Sequence, residues 1–234
     1  MYMISFKYRQ FKQDIILMAV RWYLSYSLST RDVEELMLER GVSVDHSTVN
    51  RWVIRYSAEL ESEFTRKHKR RECYVSWRLD ETYIKVKGKW CYLYRAIDKN
   101  GDTLEFMLSE ARDEKAAVSF IRKGIGNHGL PEKITIDKSG ANETAIITLN
   151  CLLYLEGLWP KYWVEDRQIK YLNNRIEQDH RNIKRRINPM LGFKSMRSAE
   201  STIAGYELIN MLKKKQYKDA GNQTVFEQFY SLAA

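Results

Sequence analysis

Apolar residues follow two different rhythms along this chain. From residue 14 to residue 60 they recur at helical spacing, and from Tyr74 onward they alternate. In the first helix Asp14 is placed to cap, and Ile15, Met18, Ala19 and Trp22 form the apolar face. Ser29 then reads as an N-cap with Asp32 at the third helical position, a capping-box-like pair ahead of Val33, Leu36 and Met37. Gly41 closes that helix, since glycine turns through positive φ at little cost. Asp45 or Ser47 caps a third helix through Val49, Trp52, Val53 and Tyr56. Beyond Tyr74, the turn signals Lys87-Gly88-Lys89 and Lys99-Asn100-Gly101-Asp102 separate three strands, the third spanning 103 to 108. A helix near 113 to 123, a strand at 133 to 137, a helix near 142 to 155, a strand around 163 to 169 and a basic helix from about 172 to 187 follow. The order is βββαβαβα.

The charge balance sharpens this picture. Thirty-nine Lys and Arg against 30 Asp and Glu give +9. A basic chain of this size favours a polyanionic partner, with nucleic acid first among candidates. Helix, Gly-containing turn, helix is the helix-turn-helix pattern. His46, Thr48, Asn50, Arg51 and Arg55 on its last helix suit phosphates and base edges in a major groove. An ordinary helical hairpin with a wet polar face is the alternative. Arg66-Lys67-His68-Lys69-Arg70-Arg71 reads as a solvated linker or as a further grip on phosphates. Cys73, Cys91 and Cys151 form no C-x-x-C, which disfavours a disulfide framework or zinc cluster and fits a reducing compartment. The start lacks a signal-peptide apolar core, and no apolar run approaches the roughly 18 residues of a membrane span. No membrane is expected.

Three carboxylates carry the candidate chemistry. Asp80 sits inside an alternating run, where a charge is costly unless paired or metal-bound. Glu81 falls on the opposite pleat and reads as a surface residue. Asp137 ends the run Ile134-Thr135-Ile136, and Lys138-Ser139-Gly140 after it is a loop that a phosphate could approach. Glu177 lies on the basic helix with His180, Arg181 and Lys184 at i+3, i+4 and i+7. That face is either a plain salt-bridge surface, or a metal ligand beside bases that hold a DNA backbone. Glu177-x-x-His180 also resembles a carboxylate–histidine metal pair, though no partner motif accompanies it. Acids on strands one and four and on the last helix are the ribonuclease-H-like arrangement. There the sheet closes the intervals of 137 − 80 = 57 and 177 − 137 = 40 residues. Anionic oxygens from separate elements are what a two-metal phosphoryl-transfer site needs.

At this point the chain resembles a known family, the DDE transposases of bacterial insertion sequences, specifically the insertion-sequence-six family. The resemblance rests on Asp45-His46-Ser47-Thr48-Val49-Asn50-Arg51-Trp52, Asp80-Glu81-Thr82-Tyr83-Ile84-Lys85-Val86, Trp90-Cys91-Tyr92-Leu93-Tyr94-Arg95-Ala96, Arg167-Gln168-Ile169-Lys170-Tyr171-Leu172-Asn173-Asn174 and Leu191-Gly192-Phe193-Lys194-Ser195-Met196. It covers nearly the whole chain. It implies that Asp80, Asp137 and Glu177 are the catalytic, metal-binding triad, with Lys184 as the basic residue two turns after the Glu. The interval from Asp137 to Glu177 is a few residues longer than the commonest family pattern, and the excess is assigned to the loop at 156 to 160. The resemblance further implies Mg²⁺, with Mn²⁺ as a substitute, and binding of the element's terminal inverted repeats. It also implies cleavage and strand transfer of the cointegrate type, and action as a homodimer or larger complex. A nuclease of the same fold that cuts without joining, and a non-catalytic DNA-binding regulator, are the rival readings. The fold expected is α/β: a ribonuclease-H-like core at 74–190 behind an all-α helix-turn-helix domain at 1–60, a basic linker at 61–73 and a helical tail at 191–234.

Overall fold

The computed structural model describes residues 4–6, 10–69, 75–137, 140–158 and 162–233. Along the chain come α1 (Gln13–Ser25), α2 (Thr30–Glu39), α3 (His46–Glu63), β1 (Ser76–Val86), β2 (Lys89–Asp98), β3 (Thr103–Ser109), α4 (Glu114–His128), β4 (Lys133–Thr135), α5 (Gly140–Leu155), β5 (Glu165–Arg167), α6 (Lys170–Ile187), α7 (Met196–Lys213) and α8 (Val225–Ser231). Two compact units result, one of Met1–Arg70 with Ile183–Ala234 and one of Arg71–Asn182. This division differs from the four segments read from the sequence. The C-terminal stretch is no separate tail; it supplies the centre of the first unit.

That centre is α7, buried at Ala199 and at every residue from Ser201 to Leu212. A helix covered on all sides shows no amphipathic stripe. Gly205 permits the close packing, for a Cβ there would lie 2.7 Å from Leu24 and 2.8 Å from the Ser57 Cβ. In α1 the buried face is Ile16, Leu17, Ala19, Val20, Tyr23 and Leu24. Ile15, Met18 and Trp22 are only half-buried, so the face is rotated from the one expected. The Arg40 guanidinium lies over the Trp22 ring at 5.2 Å, which gives that indole a use outside the core. Asp14 sits in the first turn and Lys12 holds the cap position, so Asp14 acts on the helix dipole and not as a cap. Ser29 and Asp32 do form a reciprocal capping box, and Asp45 caps α3 by accepting the Ser47 N–H. Gly41, at φ +76°, turns the chain between α2 and α3.

The basic stretch after residue 60 is more ordered than a solvated linker. Helix α3 runs to Glu63 and passes into a π-helical turn, Phe64–His68. Glu63 draws Arg66 (2.5 Å) and Lys67 back onto it. Lys69 is buried and bridges to Tyr217. Arg70 and Arg71 lie outside the described residues, as does the remainder of the expected linker to residue 73.

The second unit is a five-stranded sheet in the order β3-β2-β1-β4-β5. Strands β1, β2 and β3 are an antiparallel meander, while β4 lies parallel to β1 and to β5. With α4 between β3 and β4, α5 between β4 and β5, and α6 last, this is the ribonuclease-H-like order expected, with β1 central and β4 beside it. One face of the sheet carries the core: Trp77, Leu79, Tyr94 and Ala96 pack with Phe120 of α4 and Ile146 of α5. Gly124 lets α4 meet the sheet, since a Cβ there would approach the Trp77 ring to 2.9 Å. Strand β4 is shorter than expected and ends at Thr135, so Asp137 follows the strand.

Candidate active site

The register of β1 explains how the acids meet. Strand β1 pairs with β4 only from Ser76–Lys133 to Arg78–Thr135. Beyond that point β4 has ended, and the Ile136 N–H already bonds to Arg167 O of β5. Asp80 and Glu81 are the second and third residues past the last pair, beside the opening where a strand would have continued. The carboxyl ends of parallel strands are where α/β sheets place ligands.

Asp80, Glu81 and Asp137 each offer one carboxylate oxygen to a cluster in which all three atoms lie within 4.8 Å of one another. Glu81 is therefore a correction to the sequence reading. The period-of-two rule puts it on the opposite pleat from Asp80, but that pleat is the covered one, on the side of Trp77 and Leu79. Its side chain is 3% exposed. Asn142 of α5 donates to its Oε1 at 3.0 Å, and Arg112 Nη2 lies 3.4 Å from its Oε2. With β4 absent at this level, side chains from both pleats lean into one opening.

Among the described residues, Arg112 is the cation beside the cluster. Besides Glu81, its Nη2 lies 3.9 Å from Asp137, and its Nη1 donates to the Tyr83 hydroxyl at 3.4 Å. Burial works against its charge, but Glu81, Tyr83 and Asp137 raise its pKa. For Glu81 burial is the main cause of a raised pKa, and the neighbouring charges of Asp80 and Asp137 push the same way, against Arg112 and Asn142.

Asp80 has its own partner. His180 Nε2 lies 3.1 Å from Asp80 Oδ2, and His180 is nearly buried. The buried stripe of α6 includes Asn173, Ile176, Asp179, His180 and Ile183. Glu177 stands beside this stripe on an exposed face and does not belong to the 4.8 Å cluster. It leaves the helix one turn before His180, so the two side chains are neighbours on α6. Arg181 and Lys184 are exposed on the same helix. On α3, Asn50, Arg51 and Arg55 are exposed and Thr48 is half-buried. Arg51 donates to Thr48 Oγ1 at 2.7 Å, while His46 uses Nδ1 on Glu34 of α2 at 3.0 Å. Lys138 and Ser139 lie outside the described residues.

Sequence reasoning missed Arg95, Arg112, Asn142 and Asp179, and ranked His180 low. Arg112 and Asn142 carry no motif. Arg95 is the cross-strand partner of Asp80, a relation visible only once the β1–β2 register is known. Cys91 and Cys151 are free thiols, and among the described residues no helix is long and apolar enough to cross a membrane.

Residues 74–216 match the family model described as a DDE domain. The chain is 44% identical over 210 residues to the transposase for insertion sequence-like element IS431mec of Staphylococcus aureus, covering 90% of this chain and 89% of that protein. The same identity and coverage hold for the Staphylococcus aureus transposase of insertion sequence element IS257 in transposon Tn4003. Among solved structures, the HTLV-2 integrase catalytic core domain in complex with magnesium aligns at 15% identity with a TM-score of 0.44, over 69% of this chain and 99% of that one. The chain belongs to the DDE transposases of bacterial insertion sequences, in the insertion-sequence-six family, and is a polynucleotidyl transferase.

Proposed function

We propose that this transposase binds the terminal inverted repeats of its own element, cuts at their ends and joins them to target DNA in a cointegrate-type reaction. In this reading Asp80, Asp137 and Glu177 are the catalytic metal ligands. The observation that carries it is the convergence of Asp80 and Asp137, far apart in sequence, on one 4.8 Å cluster at the open end of the parallel strands. The donor set fits a hard divalent cation: crowded carboxylate oxygens, short of positive charge, are what Mg²⁺ or Mn²⁺ takes as ligands. When bound, such ions polarise the scissile phosphodiester and neutralise charge developing on it.

The residues divide the remaining work. Asp80 comes from β1 and Asp137 from the chain just past β4, and together they hold one side of the site. Glu177 closes from α6, whose register is set by its neighbour His180. Arg112 offsets the repulsion among the acids before DNA arrives. Arg181 and Lys184 hold the DNA backbone, an affinity that falls with salt. In the first transfer a water oxygen bonds to phosphorus at the element end and the bond to the element's 3′ oxygen breaks. The 3′-hydroxyl so released attacks a target phosphodiester in line, expelling the target's own 3′ oxygen. No covalent protein–DNA link is needed. Helices α2 and α3 read the ends as a helix-turn-helix, with Thr48, Asn50, Arg51 and Arg55 toward DNA and His46 held by Glu34. Two ends must meet, which calls for a homodimer or larger complex on nucleoid DNA in the bacterial cytoplasm.

In a strand-transfer assay with end DNA, Asp80→Asn and Glu177→Gln should each abolish joining while leaving end binding in place. Arg51→Ala should weaken binding to specific ends and flatten the log–log salt slope by about one unit for each phosphate it leaves unneutralised. Normal joining by Asp80→Asn would remove the metal-site reading. Cutting without joining by the wild-type protein would leave a nuclease.

A further inference from the structure

Behind Asp80 lies a chain of buried polar groups that the triad does not use. Arg95 is 0% exposed although it carries a full charge, and its Nη2 donates to Asp179 Oδ2 at 2.6 Å. Its Nη1 lies 3.5 Å from His180 Nδ1, and the other ring nitrogen, Nε2, lies 3.1 Å from Asp80 Oδ2. Arg95 and Asp80 are also cross-strand partners on β2 and β1. Guanidinium nitrogens only donate, so His180 Nδ1 must accept. The ring proton is thereby placed on Nε2, from which it is donated to Asp80. The direction of the chain is fixed: Asp179 accepts from Arg95, Arg95 donates to His180, and His180 donates to Asp80.

We propose that His180 is a positioning residue for the transfer reaction, holding one oxygen of Asp80 so that the other is aimed at the metal, with the buried Arg95–Asp179 pair fixing the ring and the register of α6. Asp179 and His180 are adjacent on α6, and Glu177 stands one turn earlier. The same bonds therefore set the height from which Glu177 reaches the site. Groups that orient metal ligands in this way are worth about 10- to 100-fold in metal affinity or activity. The inference rests on the metal-site reading of Asp80.

Two substitutions separate the two bonds of the ring. Gln at 180 sets its amide nitrogen near the position of Nε2 and keeps the donor to Asp80. Asn sets its amide near Nδ1, keeps an acceptor for Arg95 and cannot reach Asp80. Mn²⁺ binding to the full-length protein is measured by electron paramagnetic resonance titration, beside strand-transfer kcat, the Mn²⁺ concentration for half-maximal joining, and thermal melting. His180→Asn should bind Mn²⁺ about tenfold more weakly and need correspondingly more Mn²⁺ for joining. His180→Gln should stay within about threefold of wild type in both, although it no longer accepts from Arg95. Mn²⁺ binding by His180→Asn equal to wild type overturns the positioning role. So does an equal loss in both variants that tracks a fall in melting temperature, which is what packing alone would give. Asp80→Asn serves as the control: if it binds Mn²⁺ as wild type does, the metal-site reading itself fails; if it loses Mn²⁺ while His180→Asn does not, only the positioning role fails.

Discussion

Removing the Asp179 carboxylate tests whether α6 is held to the sheet by charge. Asp179→Ala leaves Arg95, wholly buried, without the carboxylate that accepts from it at 2.6 Å. Breaking a buried ion pair by deleting one partner costs about 3–5 kcal/mol, because the surviving charge stays desolvated. Two effects pull the figure toward the lower end. His180 Nδ1 still accepts from Arg95 at 3.5 Å. Alanine also favours the helix over aspartate by about 0.5 kcal/mol. A net loss of about 3 kcal/mol corresponds to a melting temperature lower by about 6–12 °C at this chain length. Calorimetry on the full-length protein reads it directly. The double variant Arg95→Met with Asp179→Leu should recover most of the loss, since apolar groups of similar volume often replace a buried pair at no net cost. A drop of only about 1–2 °C in Asp179→Ala would put the pair in the class of exposed salt bridges and show that charge does not hold α6 to the sheet.

Gly205→Ala should destabilise the first unit by about 1–3 kcal/mol although alanine is the better helix former, because its methyl would lie 2.7 Å from Leu24; melting of the variant at or above wild type would show that α7 has room there. Burial pushes the Glu105 carboxyl up, but Lys123 at 3.0 Å and Asn127 at 2.7 Å, with the Phe106 N–H, hold it below the ordinary glutamate value. A folded pKa below the unfolded one means that its stability is present above the unfolded value and is lost as pH falls through the folded value. Glu105→Gln should accordingly melt several degrees below wild type at pH 7, a loss of about 1–3 kcal/mol, and the gap should narrow below about pH 4; a gap that stays constant to pH 3 would contradict this.

What could be read in the sequence was whatever local chemistry dictates. The Ser29–Asp32 capping box, the Gly41 turn and the meander turn at Gly101, φ +94°, all follow from residues within a few positions of one another. The meeting of Asp80 with Asp137 was also legible, because strand order alone brings β1 beside β4. Glu81 was misread since pleat alternation assigns a face without saying where the neighbouring strand stops. Arg95 and Asp179 escaped notice because a buried charge looks like any other Arg or Asp until its cross-strand partner is known. Helix α7 reads as a tail in the sequence because a helix buried on every side has no amphipathic stripe.

Glu177, exposed on α6 and outside the 4.8 Å cluster, is the proposed ligand that completes the metal site in place of the buried Glu81. An anomalous difference map of the protein bound to a cleaved element end and soaked in Mn²⁺ tests it most directly. Peaks about 4 Å apart, with Asp80, Asp137 and Glu177 as the protein ligands, are the expected result. A map in which Glu81 ligates and Glu177 remains in solvent would contradict it.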